Sequence, residues 1–124
     1  MQDGFYKSRR AATAIGACLL AAYTANGDEV QLAVSANAPI AGVNDNLDVP
    51  QGQLADVQMT QLADVRFGAG GVAPGDPVTA DAQGRAVKAV KQAGAIVYVA
   101  GIAQRPQLEG DIGPILLAPS MIVG

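Results

Sequence analysis

The sequence of 124 residues contains no histidine, no tryptophan and a single cysteine, Cys18. Without histidine the chain lacks the usual general base and the commonest metal ligand. A single cysteine excludes an intramolecular disulfide and a Cys-x-x-Cys metal site. None of Ser8, Ser35 and Ser120 lies in a Gly-x-Ser-x-Gly elbow. We therefore expect a protein that is not an enzyme, with no catalytic residues, no metal and no cofactor.

Aromatic side chains are scarce, with three Tyr and two Phe, although half of the residues are hydrophobic. The core must therefore consist mainly of Ala, Val, Leu and Ile, which suits thin β-layers. Fifteen Gly and seven Pro divide the chain into many short segments, and this favours an all-β sandwich or barrel over helices. The length corresponds to one domain.

Strong charge and long apolar runs are also missing. The net charge of −3 offers no electrostatic footprint for nucleic acid. The largely apolar stretch Ala11–Ala22 is shorter than the roughly 20 residues needed to span a bilayer, so we expect no nucleic-acid or membrane partner. With Lys7–Arg10 before it and a lipoprotein-like cleavage box at Ile15–Cys18, the stretch imitates a signal peptide, but only Ala11–Ala14 separate Arg10 from that box, fewer than the roughly 7–15 apolar residues required. We expect Cys18 to be a small buried hydrophobe.

Three motifs could suggest a ligand, and each has a simpler interpretation. Gly68–Gly71 lacks the Lys-Ser/Thr ending of a phosphate-binding loop, which favours a strand connector. Asn44–Asp48 has alternate oxygen ligands but no mid-loop Gly or closing Glu, which favours a solvated turn over a calcium loop. Asp56 and Asp64 could form a carboxylate pair, but they are more typical of the outer face of a strand.

The chain contains an internal repeat. Residues 25–31 resemble residues 82–88, Ala41-Gly42-Val43 resembles Ala100-Gly101-Ile102, and Gly52 and Gly110 each precede an apolar strand pattern. The offset stays at 57 to 59 residues. Turn glycines and strand apolar residues recur while polar residues change, as expected for a repeated scaffold with pseudo-repeats at about 15–60 and 72–119.

Alternation and turn residues predict the strands, and Asn26-Gly27 predicts a tight hairpin with positive φ angles. The two near-identical octads 53–60 and 61–68 predict either a sharp bend or one long strand, with a helix as the fallback. The predicted strands are Cys18–Tyr23, Glu29–Val34, Pro39–Val43, Pro77–Ala80, Arg85–Val90, Ile96–Ile102 and Pro114–Ala118.

The two ends of the chain carry the candidate contact residues. Residues 1–14 lie outside the repeat and are interpreted as an extended N-terminal arm on a single β domain, 15–124. This arm either binds an acidic partner or is a solvated tail, and its candidate contacts are Phe5, Tyr6, Lys7, Arg9 and Arg10. The apolar end formed by Met121, Ile122 and Val123 is costly to expose, so we expect a neighbouring subunit to cover it.

Residues 65–87 contain an alternating strand, a Gly/Ala break, a Gly-Asp-Pro-Val-Thr turn and an Asp-x-x-Gly hairpin. Gly-Ile-Ala follows at 101–103, and Leu-Leu-Ala-Pro follows at 116–119. This pattern resembles the capsid cement, or head decoration, proteins of tailed bacteriophages, over about residues 40–119 and less clearly over 15–40. The basic segment Lys7–Arg10 departs from it.

The resemblance implies a small β-barrel or β-tulip-like domain that forms a homotrimer. Such a protein would be made in the host cytoplasm and would bind the major capsid protein on the outer surface of the virion. It would stabilise the head against internal DNA pressure and have no catalytic residues. The alternatives are a tail, baseplate or head-completion component on the same barrel and, less favoured without Trp, a carbohydrate-binding β-module.

Overall fold

The computed structural model describes residues 6–123, and within that range the regular secondary structure is entirely β. No helix there could cross a bilayer. The strands are β1 (Tyr6–Ala11), β2 (Leu20–Tyr23), β3 (Glu29–Leu32), β4 (Ile40–Asn44), β5 (Leu54–Gln58), β6 (Leu62–Arg66), β7 (Pro77–Ala80), β8 (Ala86–Lys88), β9 (Ile96–Ala103) and β10 (Ile112–Val123).

The strands form two sheets of five. Strands β1 to β5 close into a barrel in the order β1-β3-β2-β4-β5, and strands β6 to β10 form a sheet in the order β6-β10-β9-β7-β8. The two orders correspond strand for strand, with β6 in the place of β1 and β10 in the place of β5. We call β1–β5 module 1 and β6–β10 module 2. The all-β fold with a small barrel, expected from the sequence, is confirmed.

Individual hydrogen bonds recur between the modules. Ile15 and Val49 exchange two backbone hydrogen bonds of 2.9 Å, and Val72 and Gln107 exchange the equivalent pair at 3.0 and 3.2 Å. The offsets are 57 and 58 residues. Gly52 and Gly110 occupy equivalent turns with φ angles of 89° and 88°. The repeat inferred from the sequence is therefore a repeat of backbone structure.

Closure differs between the modules. In module 1 the strands β1 and β3 pair in parallel at Ala11 and Val30. In module 2 the same place holds an isolated parallel bridge between Phe67 and Ala86. All four residues are buried. In each module a larger side chain thus faces an alanine. The larger residue is Val30 on β3 in module 1 but Phe67, directly after β6, in module 2.

Two main clusters make up the core. The first lies inside module 1 and is built from small residues such as Ala21, Ala55 and Val57. The second contains the interior of module 2, including Phe67 and Ile115, together with residues of module 1 such as Leu20 and Val43. The modules therefore share the second cluster.

The structure corrects several expectations. Residues 6–11 are not an arm but a strand of the barrel, because β1 pairs along its length with β5; residues 1–5, including Phe5, lie outside the described residues. Neither Asn26 nor Gly27 has a positive φ, because side chains close this turn: Asn26 N–H donates to Thr24 Oγ1, and Asp28 N–H donates to Asn26 Oδ1, both at 3.0 Å.

Three other segments can now be assigned. The octads form two strands separated by a bend with Gln61 at φ 64°, so the bend was the right alternative and the helix was wrong. The last strand continues past Ala118 to Val123, with a register shift between Leu117 and Ser120. This extension places Met121–Val123 in the sheet.

A glycine is required where β4 meets β5 and again where β9 meets β10. A Cβ at Gly42 would collide with the carbonyl oxygen of Gln58, and one at Gly101 with the carbonyl oxygen of Leu116. In both cases the obstacle is backbone, which cannot move without breaking the strand pairing.

We predict that Gly42→Ala and Gly101→Ala each lower the free energy of unfolding by about 3 kcal/mol or more, as severe overpacking does. Gly27→Ala is the control, because a Cβ there meets nothing within 4 Å, and its effect should stay within about 0.5 kcal/mol. Urea unfolding curves measure all three. Equal effects at Gly27 and Gly42 would contradict the close approach.

Candidate functional site

The basic residues predicted as contacts lie on strand β1 and are held by the barrel. Successive side chains of a strand point to opposite faces, so Lys7 and Arg9 lie on one face and Arg10 on the other. Lys7, Arg9 and Arg10 all border a groove of about 200 Å³, which Ser8, Asp28 and Leu54 complete. We call this the basic groove.

Two of the three basic side chains are fixed by contacts within the module. The Arg10 Nη1 donates to the carbonyl oxygen of Gly52 at 2.7 Å. The Arg9 Nη1 donates to the carbonyl oxygen of Gly27, and its guanidinium lies 5.7 Å from the centroid of the Tyr23 ring. Lys7 is exposed. The groove is therefore a largely preorganised cationic surface.

Tyr6 has a structural role in the same strand. Its hydroxyl donates to Oε1 of Gln58 at 2.8 Å, and Gln58 Nε2 in turn donates to the carbonyl oxygen of Leu62 at 2.6 Å. The chain Tyr6–Gln58–Leu62 thus links β1 and β5 of module 1 to the first strand of module 2. Sequence reasoning treated Tyr6 as an anchor for a partner and missed this internal role.

The apolar end of the chain forms the outer part of a two-stranded ribbon. Met121 pairs with Tyr98 and Val123 with Ile96 across β9 and β10, and Met121 and Val123 remain 58% and 68% exposed. Ile122 points the other way and packs against a cluster that contains Val97. We call Ile96, Tyr98, Met121 and Val123 the C-terminal ribbon; it is paired through its backbone but exposes apolar side chains.

A cleft of about 430 Å³ lies between the modules and is bordered by Cys18, Asp45 and Asp64. Burial raises the pKa of the Cys18 thiol; the negative charges of Asp64 and Asp45 raise it further, while Arg66 acts in the opposite direction. The thiol therefore stays protonated at neutral pH, unlike an activated nucleophile. Cys18 is buried, as expected from the sequence.

Asn44 and Asp56, which belong to motifs that could suggest a ligand, make structural contacts. The Asn44 amide donates to the carbonyl oxygens of Ile15, Gly16 and Leu47, at 2.9 to 3.2 Å, so this segment is a braced turn. Asp56 accepts a 2.7 Å hydrogen bond from Ser8, whereas Asp64 borders the cleft. Within residues 6–123 no group of three or more metal-ligating side chains comes together.

The fold and its surfaces define a two-module all-β protein, in which module 1 is a closed barrel, with a basic groove, an apolar ribbon and a cleft bordered by a buried thiol. The sequence matches no protein-family model and no curated protein. Among solved structures, the chain is similar to the head fiber gp8.5 N base of bacteriophage phi29, with a TM-score of 0.67 and 24% sequence identity. The similarity covers 92% of this chain and 93% of that chain and establishes a shared fold.

The reactivity of Cys18 tests the description of the cleft. Because the folded protein buries the thiol and raises its pKa, we predict that iodoacetamide modifies Cys18 at pH 8 at least about 10-fold more slowly in the native protein than in urea. Mass spectrometry of timed samples measures both rates. A native rate equal to the rate in urea would show that the thiol is accessible and ionises normally.

Proposed function

We propose that this protein is a structural, non-enzymatic component of a phage head that binds the outer surface of the capsid and stabilises it against internal DNA pressure. The observation that carries the proposal is the shared fold with a phage head fiber base over nearly the whole of both chains. The turn and strand motifs that resemble capsid cement proteins support the same function independently.

The chemistry of the described residues suits a binding role. The thiol of Cys18 is buried and has a raised pKa, and the sequence supplies no histidine. Asp81 is engaged with Arg85 in an ion pair of 2.9 Å, and Asp56 is bonded to Ser8. These polar groups hold turns and strands in place, which is what a scaffold requires.

The partner in this proposal is the major capsid protein. The basic groove offers a rigid cationic surface for acidic side chains of the coat, and because Arg9 and Arg10 are already held, little side-chain entropy is lost on contact. Exposed charge pairs contribute only about 0–1 kcal/mol each, so the groove would mainly steer and orient the encounter.

Self-association is the second part of the proposal. A homotrimer would engage the shell at three points, and linked contacts exceed the affinity of a single contact by roughly 10²–10⁴-fold. The C-terminal ribbon is a candidate part of the subunit interface, because Met121 and Val123 are exposed although the backbone between them is paired. Burying a large apolar side chain stabilises an assembly by up to about 1.5–3 kcal/mol.

The capsid-stabilising role is tested on purified heads prepared with and without this protein. Heads that lack it should assemble but release their DNA at a lower temperature, because the contacts that bridge coat subunits are missing. Adding the purified protein back should restore the higher temperature. DNA release at the same temperature from bare and decorated heads would contradict the proposed function.

The basic groove is tested by the double variant Lys7→Gln/Arg10→Gln. It should bind bare heads up to about 30-fold more weakly at low salt, mainly through slower association. The difference should shrink at 1 M salt, where the Debye length is about 3 Å.

The matched control is Lys88→Gln/Lys91→Gln, which removes the same charge from exposed positions outside the groove. Binding kinetics on immobilised heads measure both variants. If the two double variants behave alike, the groove does not contact the coat and another part of the barrel does.

A further inference from the structure

A row of apolar side chains crosses four strands of module 2 on its outward face. Leu62 pairs with Leu116, Leu116 with Ile102, and Ile102 with Pro77. Leu62 and Leu116 are 50% and 44% exposed, and the other two are partly exposed. Their chain neighbours Ala63, Ile115 and Val78 are buried in the core, so this row, which we call the outer row, points away from it; its Leu62 end borders the cleft between the modules.

Module 1 contains the equivalent row. Tyr6 pairs with Gln58, Gln58 with Val43, and Val43 with Leu20. Each residue precedes its counterpart in the outer row by 56 to 59 residues, close to the offset of 57 to 59 residues found in the sequence repeat. Leu20, Val43 and Gln58 are buried, and Leu20 and Val43 lie in the core cluster that contains the interior of module 2. In module 1, therefore, a second module of the same fold covers this face.

The two rows differ in a way that fits burial of the outer row by a separate molecule rather than by the same chain. In module 1 the Leu20 N–H donates to the Gly84 carbonyl at 2.8 Å, and the Gln58 amide donates to the Leu62 carbonyl at 2.6 Å. The equivalent residues of the outer row are Pro77, which has no N–H, and Leu116, which has no polar side chain. At these two positions the outer row has neither the backbone N–H nor the side-chain amide that would lose its hydrogen bond to water when the row is buried. Leaving such a donor buried and unpaired would be costly.

We propose that the outer row of module 2 is the docking surface for a second copy of this chain. The occupant follows from the repeat, because the equivalent face of module 1 is covered by a module of this fold. The inference rests on the self-association in the proposed function and names a surface that carries it. It does not depend on binding to a head, because the contact forms between copies in solution.

The test is the double variant Leu62→Thr/Leu116→Thr. Threonine suits exposed strand positions, so the barrel should remain folded, which the thermal unfolding curve checks. Analytical ultracentrifugation over a range of concentrations should show a dissociation constant at least about 30-fold higher than that of the unchanged protein, because two large apolar side chains leave the contact.

The matched control is Leu47→Thr/Leu108→Thr, which makes the same chemical change at exposed loop positions outside the outer row. The control should associate like the unchanged protein. A monomeric unchanged protein, or equal association by both double variants, overturns the proposal.

Further measurements distinguish docking between copies from contact with the coat, and failure of this inference from failure of the proposed function. Hydrogen exchange on the unchanged protein should show slower exchange in residues 112–117 as the concentration rises; unchanged exchange there overturns the proposal even if the double variant fails to fold. If the double variant associates normally but no longer binds heads, the row contacts the coat instead, and the inference fails while the proposed function stands. If the double variant loses self-association but bare and decorated heads release DNA at the same temperature, the inference stands and the proposed function fails.

Discussion

Besides the bond from Tyr98 N–H to the Ala36 carbonyl, the modules are joined at the start of β2 by two backbone hydrogen bonds, from Leu20 N–H to the Gly84 carbonyl and from Arg66 N–H to the Cys18 carbonyl, all 2.8 Å long. These two bonds hold the start of β2 between the end of β6 and the turn that precedes β8. Leu20 and its row are thereby placed against the interior of module 2. The cluster inside module 1 consists of eight buried residues, largely alanine and valine, which is little for an independent fold. The second cluster adds the apolar burial that module 1 lacks on its own.

The repeat is preserved in the backbone, whereas its side chains differ between the copy that lies at the junction of the modules and the copy that does not. Cys18 has a φ of 61°, and Gly75, with a φ of 91°, occupies the equivalent place in module 2. A cysteine in this left-handed conformation is strained relative to glycine, but it borders the cleft between the modules, whereas Gly75 is exposed. Leu20 and Pro77 differ in the same way. The copy that lies at the junction carries the packing or hydrogen-bonding residue, and its counterpart does not.

Much of the fold could be predicted from the sequence, because turn glycines recur at a fixed offset and mark equivalent turns. Gly52 and Gly110, for example, both adopt positive φ. The N-terminal strand was missed because β1 is polar and pairs with β5, some 50 residues away, so local alternation gave no signal. A signal did exist: at an offset of 56 residues, Tyr6–Arg10 aligns with Leu62–Arg66, a segment already interpreted as a strand. The side-chain closure of the Thr24–Asp28 turn could not be predicted, because Asn-Gly in a hairpin usually indicates positive φ angles.

Placing the basic residues on a barrel strand changes how the protein would hold a partner. A disordered arm loses conformational entropy when it docks, whereas Arg9 and Arg10 are already fixed by carbonyl oxygens of their own module. A rigid surface therefore keeps more of each contact as net affinity. The basic residues are also connected to the rest of the fold, since β1 pairs with β5 and Gln58 of β5 donates a hydrogen bond to module 2. Under the proposed function such stiffness is an advantage, because a flexible tether would extend before it resisted internal pressure.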